Sequence, residues 1–232
     1  MSEPTSSRED LTPDETLRGY DRWSASYDRQ ANPLIAATSW VLDHAPLGCA
    51  GADVVELGCG TGRNIARVLG EGCRSYTGVD GSPGMLRTTR ARTADTRLDF
   101  VAADLLAPWQ PARQFDVGLV VLVLEHLPTL HVFCGSLARA IKPGGRVRCV
   151  DLHPARIAAG SFAHFHEGGT EVRFASRAHA ADEVARAFEV AGFDVVWRNG
   201  LADGELLAAV PSVAKHRGLE LVLDVTASRR SG

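Results

Sequence analysis

The stretch ELGCGTG, residues 56–62, places a carboxylate inside a glycine-rich turn. Alternating glycines at Gly58, Gly60 and Gly62 permit a tight turn and the close approach of another body. A helix that starts after such a turn offers free N–H groups and the positive end of its dipole, a setting for an anion. Glu56 works against that use: it repels a pyrophosphate and suits a ligand that carries an ammonium group. A dinucleotide fingerprint, G-x-G-x-x-G, fails because Arg63 stands where the third glycine is needed. The Gly-Lys-Ser/Thr tripeptide of a phosphate-cradling loop is also absent from the chain.

The turn needs a strand before it and a helix after it. Ala52–Leu57 is a short valine-rich run of the kind buried on both faces of a sheet. Thr61 is placed to cap a helix over Arg63–Leu69. Further strands are expected at Ser75–Val79, Leu98–Ala102, Val117–Leu124, Arg146–Asp151, Phe193–Arg198 and Leu219–Thr226. Helical patterns lie between them at Pro83–Ala94, Thr129–Ile141 and Ala180–Ala191. Asp14–Trp40 reads as helix in pieces, broken at Asn32-Pro33. Strands that alternate with helices predict an α/β fold with a parallel sheet and crossover helices.

The 232 residues suffice for one well-cored domain. A formal net charge of −3 argues against a general nucleic-acid binder, which shows a basic footprint. The five cysteines match neither a zinc site nor a disulfide framework, and reduced thiols in the cytoplasm are the simplest account. The start, MSEPTSSRED, has no signal-peptide character. No apolar run is long enough to span a membrane.

VVELGCGTGRN resembles the first motif of the class I S-adenosylmethionine-dependent methyltransferases, the group that includes quinone-pathway and natural-product enzymes. YTGVDGSPGML is similar to that family's second strand and its acidic end, and DFVAADLLAPW to its adenine-binding segment. FDVGLVVLVLEHL and IKPGGRVRCVDLHP resemble its fourth and fifth strands. The matches run in order through roughly residues 50–155. The resemblance implies a Rossmann-like, seven-stranded sheet of order 3-2-1-4-5-7-6 with the last strand antiparallel and helices on both faces. It divides the chain into a disordered tail (1–13) and one domain (14–227). Within the domain it implies a helical cap (14–45), a cofactor-binding half (46–154), a substrate lid (155–178) and a C-terminal half (179–227).

By the same resemblance, S-adenosylmethionine binds along Glu56, Gly58, Cys59, Gly60 and Gly62, and S-adenosylhomocysteine is the product. Asp80, followed by Gly81, sits where an acid accepts hydrogen bonds from ribose hydroxyls. Ser82 is better placed to cap the next helix, with Pro83 at its first position, which leaves Asp80 free. Asp104 suits the adenine amino group and Leu105 a ring nitrogen, with Ala103 beside them. Met85 packs on the adenine, and Leu122 is a further cofactor-binding residue. Tyr27 or Tyr20, in the segment YDRWSASYD, closes over the methionine carboxylate.

Methyl transfer needs a nucleophile held opposite the sulfonium in a dry pocket, and a hydroxyl or acidic carbon also needs a base. His126 and His153 end the fourth and fifth strands and are the candidate bases. The segment LEHLP lacks the signature of amino-methylating DNA enzymes, and Asp151 and Glu125 are not spaced as a magnesium site. The expectation is therefore methyl transfer to a small-molecule O, N or C acceptor, by a monomer or homodimer without metal, nucleic acid or membrane partner. Alternatives are a non-catalytic cofactor-binding subunit and a methyltransferase acting on protein or RNA.

Overall fold

The computed structural model describes residues 7–30, 32–198, 204–216, 218 and 220–231. Its elements are β1 (Ser7–Asp10), α1 (Thr16–Trp23), α2 (Pro33–His44), β2 (Asp53–Leu57), α3 (Ile65–Gly70) and β3 (Ser75–Asp80). These lead to α4 (Pro83–Arg92), β4 (Leu98–Ala102), β5 (Phe115–Val121), α5 (Leu130–Ala140), β6 (Ile141–Leu152) and α6 (Pro154–Ala158). The last are β7 (His164–Glu167), β8 (Thr170–Arg173), α7 (Ala181–Val190), β9 (Phe193–Arg198), α8 (Gly204–Ala209) and β10 (Val222–Arg229).

The large sheet has the order β4-β3-β2-β5-β6-β10-β9. Strand β10 runs antiparallel to both neighbours, and the strands from β4 to β6 are parallel. Counted within this sheet alone the order is 3-2-1-4-5-7-6. Along the whole chain the numbering is broken, because β1, β7 and β8 form a separate three-stranded sheet. The valines of β2 show why the large sheet is covered on both sides. Val54 enters the cluster formed with Val41 of α2 and Val68 of α3, while Val55 enters the cluster of Phe133 in α5 and Phe188 in α7. Strand order reverses between β2 and β5, and ligands of open α/β sheets bind at the carboxyl ends of strands at such a reversal.

The small sheet corrects two expectations. Residues 7–10 of the expected disordered tail pair in parallel with β8, Ser7 opposite Thr170 and Asp10 opposite Arg173; Met1–Ser6 lie outside the described residues. The 155–178 segment is not irregular throughout. It opens with α6, and β7 and β8 form a hairpin across Gly168 and Gly169, both at positive φ, as a tight two-residue hairpin turn requires. Burial holds this sheet in place: Leu11, Trp23, Phe165, Val172 and Phe174 form a third cluster, in which Trp23 stacks on Phe165 with ring centroids 5.3 Å apart. The N-terminal cap and the insert are thus one packed unit. The final strand is Val222–Arg229, shifted from the expected Leu219–Thr226 and longer than the 227 boundary allows.

Candidate active site

The glycine turn leaves β2 at Leu57. Gly58 has φ +79, and a Cβ there would come within 2.4 Å of the Val123 side chain. Gly60 has φ +53, and a Cβ there would meet nothing within 4 Å; it borders a cavity. Gly62 plays a different part, packing on Ile65 and Thr89. Helix α3 begins at Ile65 rather than Arg63, and Thr61 does not cap it. The Thr61 hydroxyl instead donates to Asp28, 3.0 Å away, which ties the glycine turn to the N-terminal cap.

Two carboxylates, one buried and one partly buried, face this cavity. Glu56 is fully buried and accepts from the Tyr76 hydroxyl and the Asn64 amide, each at 2.6 Å. Burial pushes it up to about 7, against the pull of those two donors. Asp80 accepts from the Gly60 N–H and the Ser82 N–H, both at 2.8 Å, so it is not the free acid expected. It pins the glycine turn and retains acceptor capacity toward the cavity. Burial raises its pKa while the two N–H donors lower it. Ser82 caps α4 as anticipated, its hydroxyl accepting from the Met85 N–H. Asp104 lines the far end, with one oxygen taken by the Leu106 N–H at 2.9 Å.

All but two of the expected cofactor residues line this one cavity. The exceptions are Gly62 and Ala103, whose backbone N–H donates to the Asp80 carbonyl. Tyr20 and Tyr27 both cover it from the cap, along with Thr16 and Leu17, which the sequence reading missed. Asn64 and Tyr76 were missed as the partners of Glu56. Also missed was Asp151: fully buried, it accepts from the N–H groups of Val123, Leu124 and Leu152. It thereby fixes the turn after β5, where Leu122 sits at φ +57, the only positive-φ non-glycine among the described residues. Burial lifts Asp151 to about 6.

The two candidate bases part company. His153 is not among the residues that line the cofactor cavity. Its Nδ1 accepts from the Ala155 N–H, capping α6, and its Nε2 lies 2.8 Å from the Glu220 carboxylate. Pro154 starts that helix, the use to which proline at a first helical position is suited. His126 does line the cofactor cavity, and its Nε2 lies 2.6 Å from the Tyr20 hydroxyl. Burial pushes it down to about 4, so it is neutral at physiological pH. Among the described residues no cluster of three or more His, Cys, Asp or Glu side chains could hold a metal ion.

The donor set fits a nucleoside that carries positive charge. Two acids, buried Glu56 and partly buried Asp80, favour a cation, the Gly60 cradle leaves room that a Cβ would fill, and buried Met85 with partly buried Leu105 offers apolar cover to a base beside Asp104. Fold and site together define a Rossmann-like enzyme class with a cationic nucleoside pocket at the switch point. A family profile for methyltransferase domains matches residues 54–145. A methyltransferase of Emericella nidulans, itself uncharacterised, is 31% identical over 80% of this chain and 78% of its own length. Demethylmenaquinone methyltransferase of Tropheryma whipplei is 36% identical, but the match spans only 47% of this chain and 46% of that enzyme. In fold, an S-adenosylmethionine-dependent methyltransferase from Mesorhizobium loti superposes with a TM-score of 0.70 at 22% identity, over 84% of this chain and 100% of that one. The chain belongs to the S-adenosylmethionine-dependent methyltransferases, and S-adenosylmethionine is its cofactor.

Proposed function

We propose that this protein methylates a small molecule held in a second cavity beneath the small sheet. One observation carries the reading: this second cavity, of about 410 Å³, shares Tyr20, Tyr27 and Leu122 with the cofactor cavity, so the two meet at those side chains. Its size suits a small-molecule site. Its other walls come from the cap, the turn after β5, and residues 159–164 of the insert. The arrangement supports a cofactor-binding half at 46–154, a cap at 14–45 and a substrate lid at 155–178. The name of the quinone-methylating relative supports a small acceptor in kind, not in identity.

Glu56 and Asp80, with the Gly60 backbone, hold the cofactor, and Asp104 and Leu105 hold its base. When bound, S-adenosylmethionine supplies a methyl group on a sulfonium, ready for in-line displacement, and leaves as S-adenosylhomocysteine. The chain's own task is to align the acceptor and exclude water. Tyr20 is the polar side chain that reaches both cavities while touching His126, so an acceptor proton has a route to the neutral imidazole through the phenol. His126 is therefore the proposed base, acting with Tyr20; His153 is replaced in that role. No helix among the described residues is long and apolar enough to cross a membrane. We place the enzyme in the cytoplasm on a separate ground, its five buried free cysteines, which suit a reducing compartment.

The test is a panel of small acceptors incubated with the protein and S-adenosylmethionine, with release of S-adenosylhomocysteine and the mass gain of the acceptor followed together. Cofactor binding without turnover on any small acceptor, but with turnover on protein or RNA, would overturn the reading.

A further inference from the structure

Arg156, in α6, is 3% exposed, and it lines the second cavity. Its Nε has no hydrogen-bond partner. Burial alone acts on its pKa, downward, and no charged neighbour offsets that pull. Glu125 lines the same cavity, but its carboxylate takes the Ser176 hydroxyl at 2.7 Å and lies beside His126, and burial raises its pKa. Among the described residues that line the cavity, Arg156 is the one guanidinium or ammonium group, and no described carboxylate forms an ion pair with it. A buried, unpaired guanidinium is costly for the fold alone, and folded proteins pair such groups or use them. The planar fork of arginine matches a carboxylate bidentately.

We propose that Arg156 anchors a carboxylate of the methyl acceptor, and that the acceptor is an apolar or aromatic monocarboxylic acid; this rests on the reading of the second cavity as the acceptor site. Trp23, Tyr27, Leu34 and Phe162 supply the apolar walls for its body. One arginine balances one carboxylate. A phosphate group brings nearly two negative charges, too many for one cation in a cavity that also holds Glu125.

The probes are benzoate, its neutral isostere benzamide, and inorganic phosphate, titrated by calorimetry into the protein saturated with S-adenosylhomocysteine. Benzoate is expected to bind at least tenfold more tightly than benzamide and than phosphate. Arg156→Leu should abolish the preference for benzoate while leaving S-adenosylhomocysteine affinity unchanged. Its melting temperature should not fall, because an unpaired buried charge is replaced by a side chain the cavity wall accepts. Arg156→Lys, which keeps the charge without the fork, should retain part of the preference and serves if the leucine variant does not fold. Equal binding of benzoate and benzamide, or a preference that survives Arg156→Leu, would overturn the proposal, and tighter binding of phosphate would overturn the carboxylate assignment. The same titrations without S-adenosylhomocysteine decide the anion site independently of methyl transfer. Benzoate preference with no turnover on any acceptor would uphold the anion site and sink only the catalytic reading.

Discussion

The Tyr20 hydroxyl lies 2.6 Å from Nε2 of His126, and the two rings meet edge-on with centroids 5.2 Å apart. One residue comes from the cap and the other from the turn after β5, so this bond closes the cap onto the catalytic crevice. The bond is partly buried, and each group is the other's polar partner. Tyr20→Phe should therefore strand the imidazole and lower stability by about 1–3 kcal/mol. If the pair also carries the acceptor's proton, turnover per folded molecule should drop by roughly a hundredfold or more, with cofactor affinity retained. His126→Gln should match that loss. A Tyr20→Phe enzyme with full turnover and only a lower melting temperature would make the bond purely structural.

Asp80 has a double duty that sharpens its test. Asp80→Ala frees the Gly60 N–H in the glycine turn and, on the proposed assignment, removes the acceptors for the ribose hydroxyls. Hydrogen bonds to a charged acceptor are worth about 1.5–3 kcal/mol, so affinity should fall roughly tenfold to hundredfold. Asp80→Asn keeps one acceptor oxygen and should recover part of that loss. Calorimetry that finds unchanged affinity in a folded Asp80→Ala protein would refute the ribose assignment.

The site was legible where its chemistry sits at strand ends close to one motif. Glu56, Asp80 and Asp104 follow apolar runs, and parallel strands bring such ends together. His153 looked equivalent on those grounds. What spacing could not show is that Glu220, far along the chain, takes one of its nitrogens and the start of α6 takes the other. Strand β1 was invisible for a similar reason. Four polar residues carry no periodic signal, and their partners lie 163 positions away for the pair Ser7 and Thr170. The Gly168-Gly169 pair between two short β-prone runs was a readable hairpin signal that the reading passed over.

Glu56 predicts a pH dependence of known sign. Its carboxyl titrates near 7 in the free protein, and the cationic groups of the cofactor favour the charged form. Affinity should therefore weaken as pH falls below 7 and level off above it, while Glu56→Gln should bind weakly and show no such slope. Stability runs the other way. The folded pKa lies above the reference value of 4.5, so the contribution is complete below pH 4.5 and is lost as pH rises through 7. The shift corresponds to a cost on the order of 3 kcal/mol above pH 7. Apo Glu56→Gln should consequently gain melting temperature over the parent at pH 8 and little at pH 5. Thermal unfolding across that range, with cofactor titrations at the same pH values, measures both signs.

The cap should gate the cofactor because two acids fasten it beside the glycine turn. Asp21 of α1 accepts from the Gly84 N–H and the Ser82 hydroxyl at the start of α4. Asp28 accepts from Thr61 and pairs with Arg92 of α4 at 2.5 Å. Both latches connect the segment carrying Tyr20 and Tyr27 to the glycine turn and to α4, beside the cofactor cavity. Neither acid lines the cofactor cavity, so their removal leaves the binding groups in place. In the double variant Asp21→Ala/Asp28→Ala, S-adenosylhomocysteine should dissociate about tenfold faster or more, by analogy with the loss of two charge-assisted hydrogen bonds. Hydrogen exchange in residues 14–30 should rise in the same variant, and in the parent it should slow when S-adenosylhomocysteine binds. The large sheet should keep its protection throughout, since its core clusters are separate from the cluster under the cap. Unchanged dissociation with an intact fold would show that the cofactor leaves by another route and that α1 is a fixed wall.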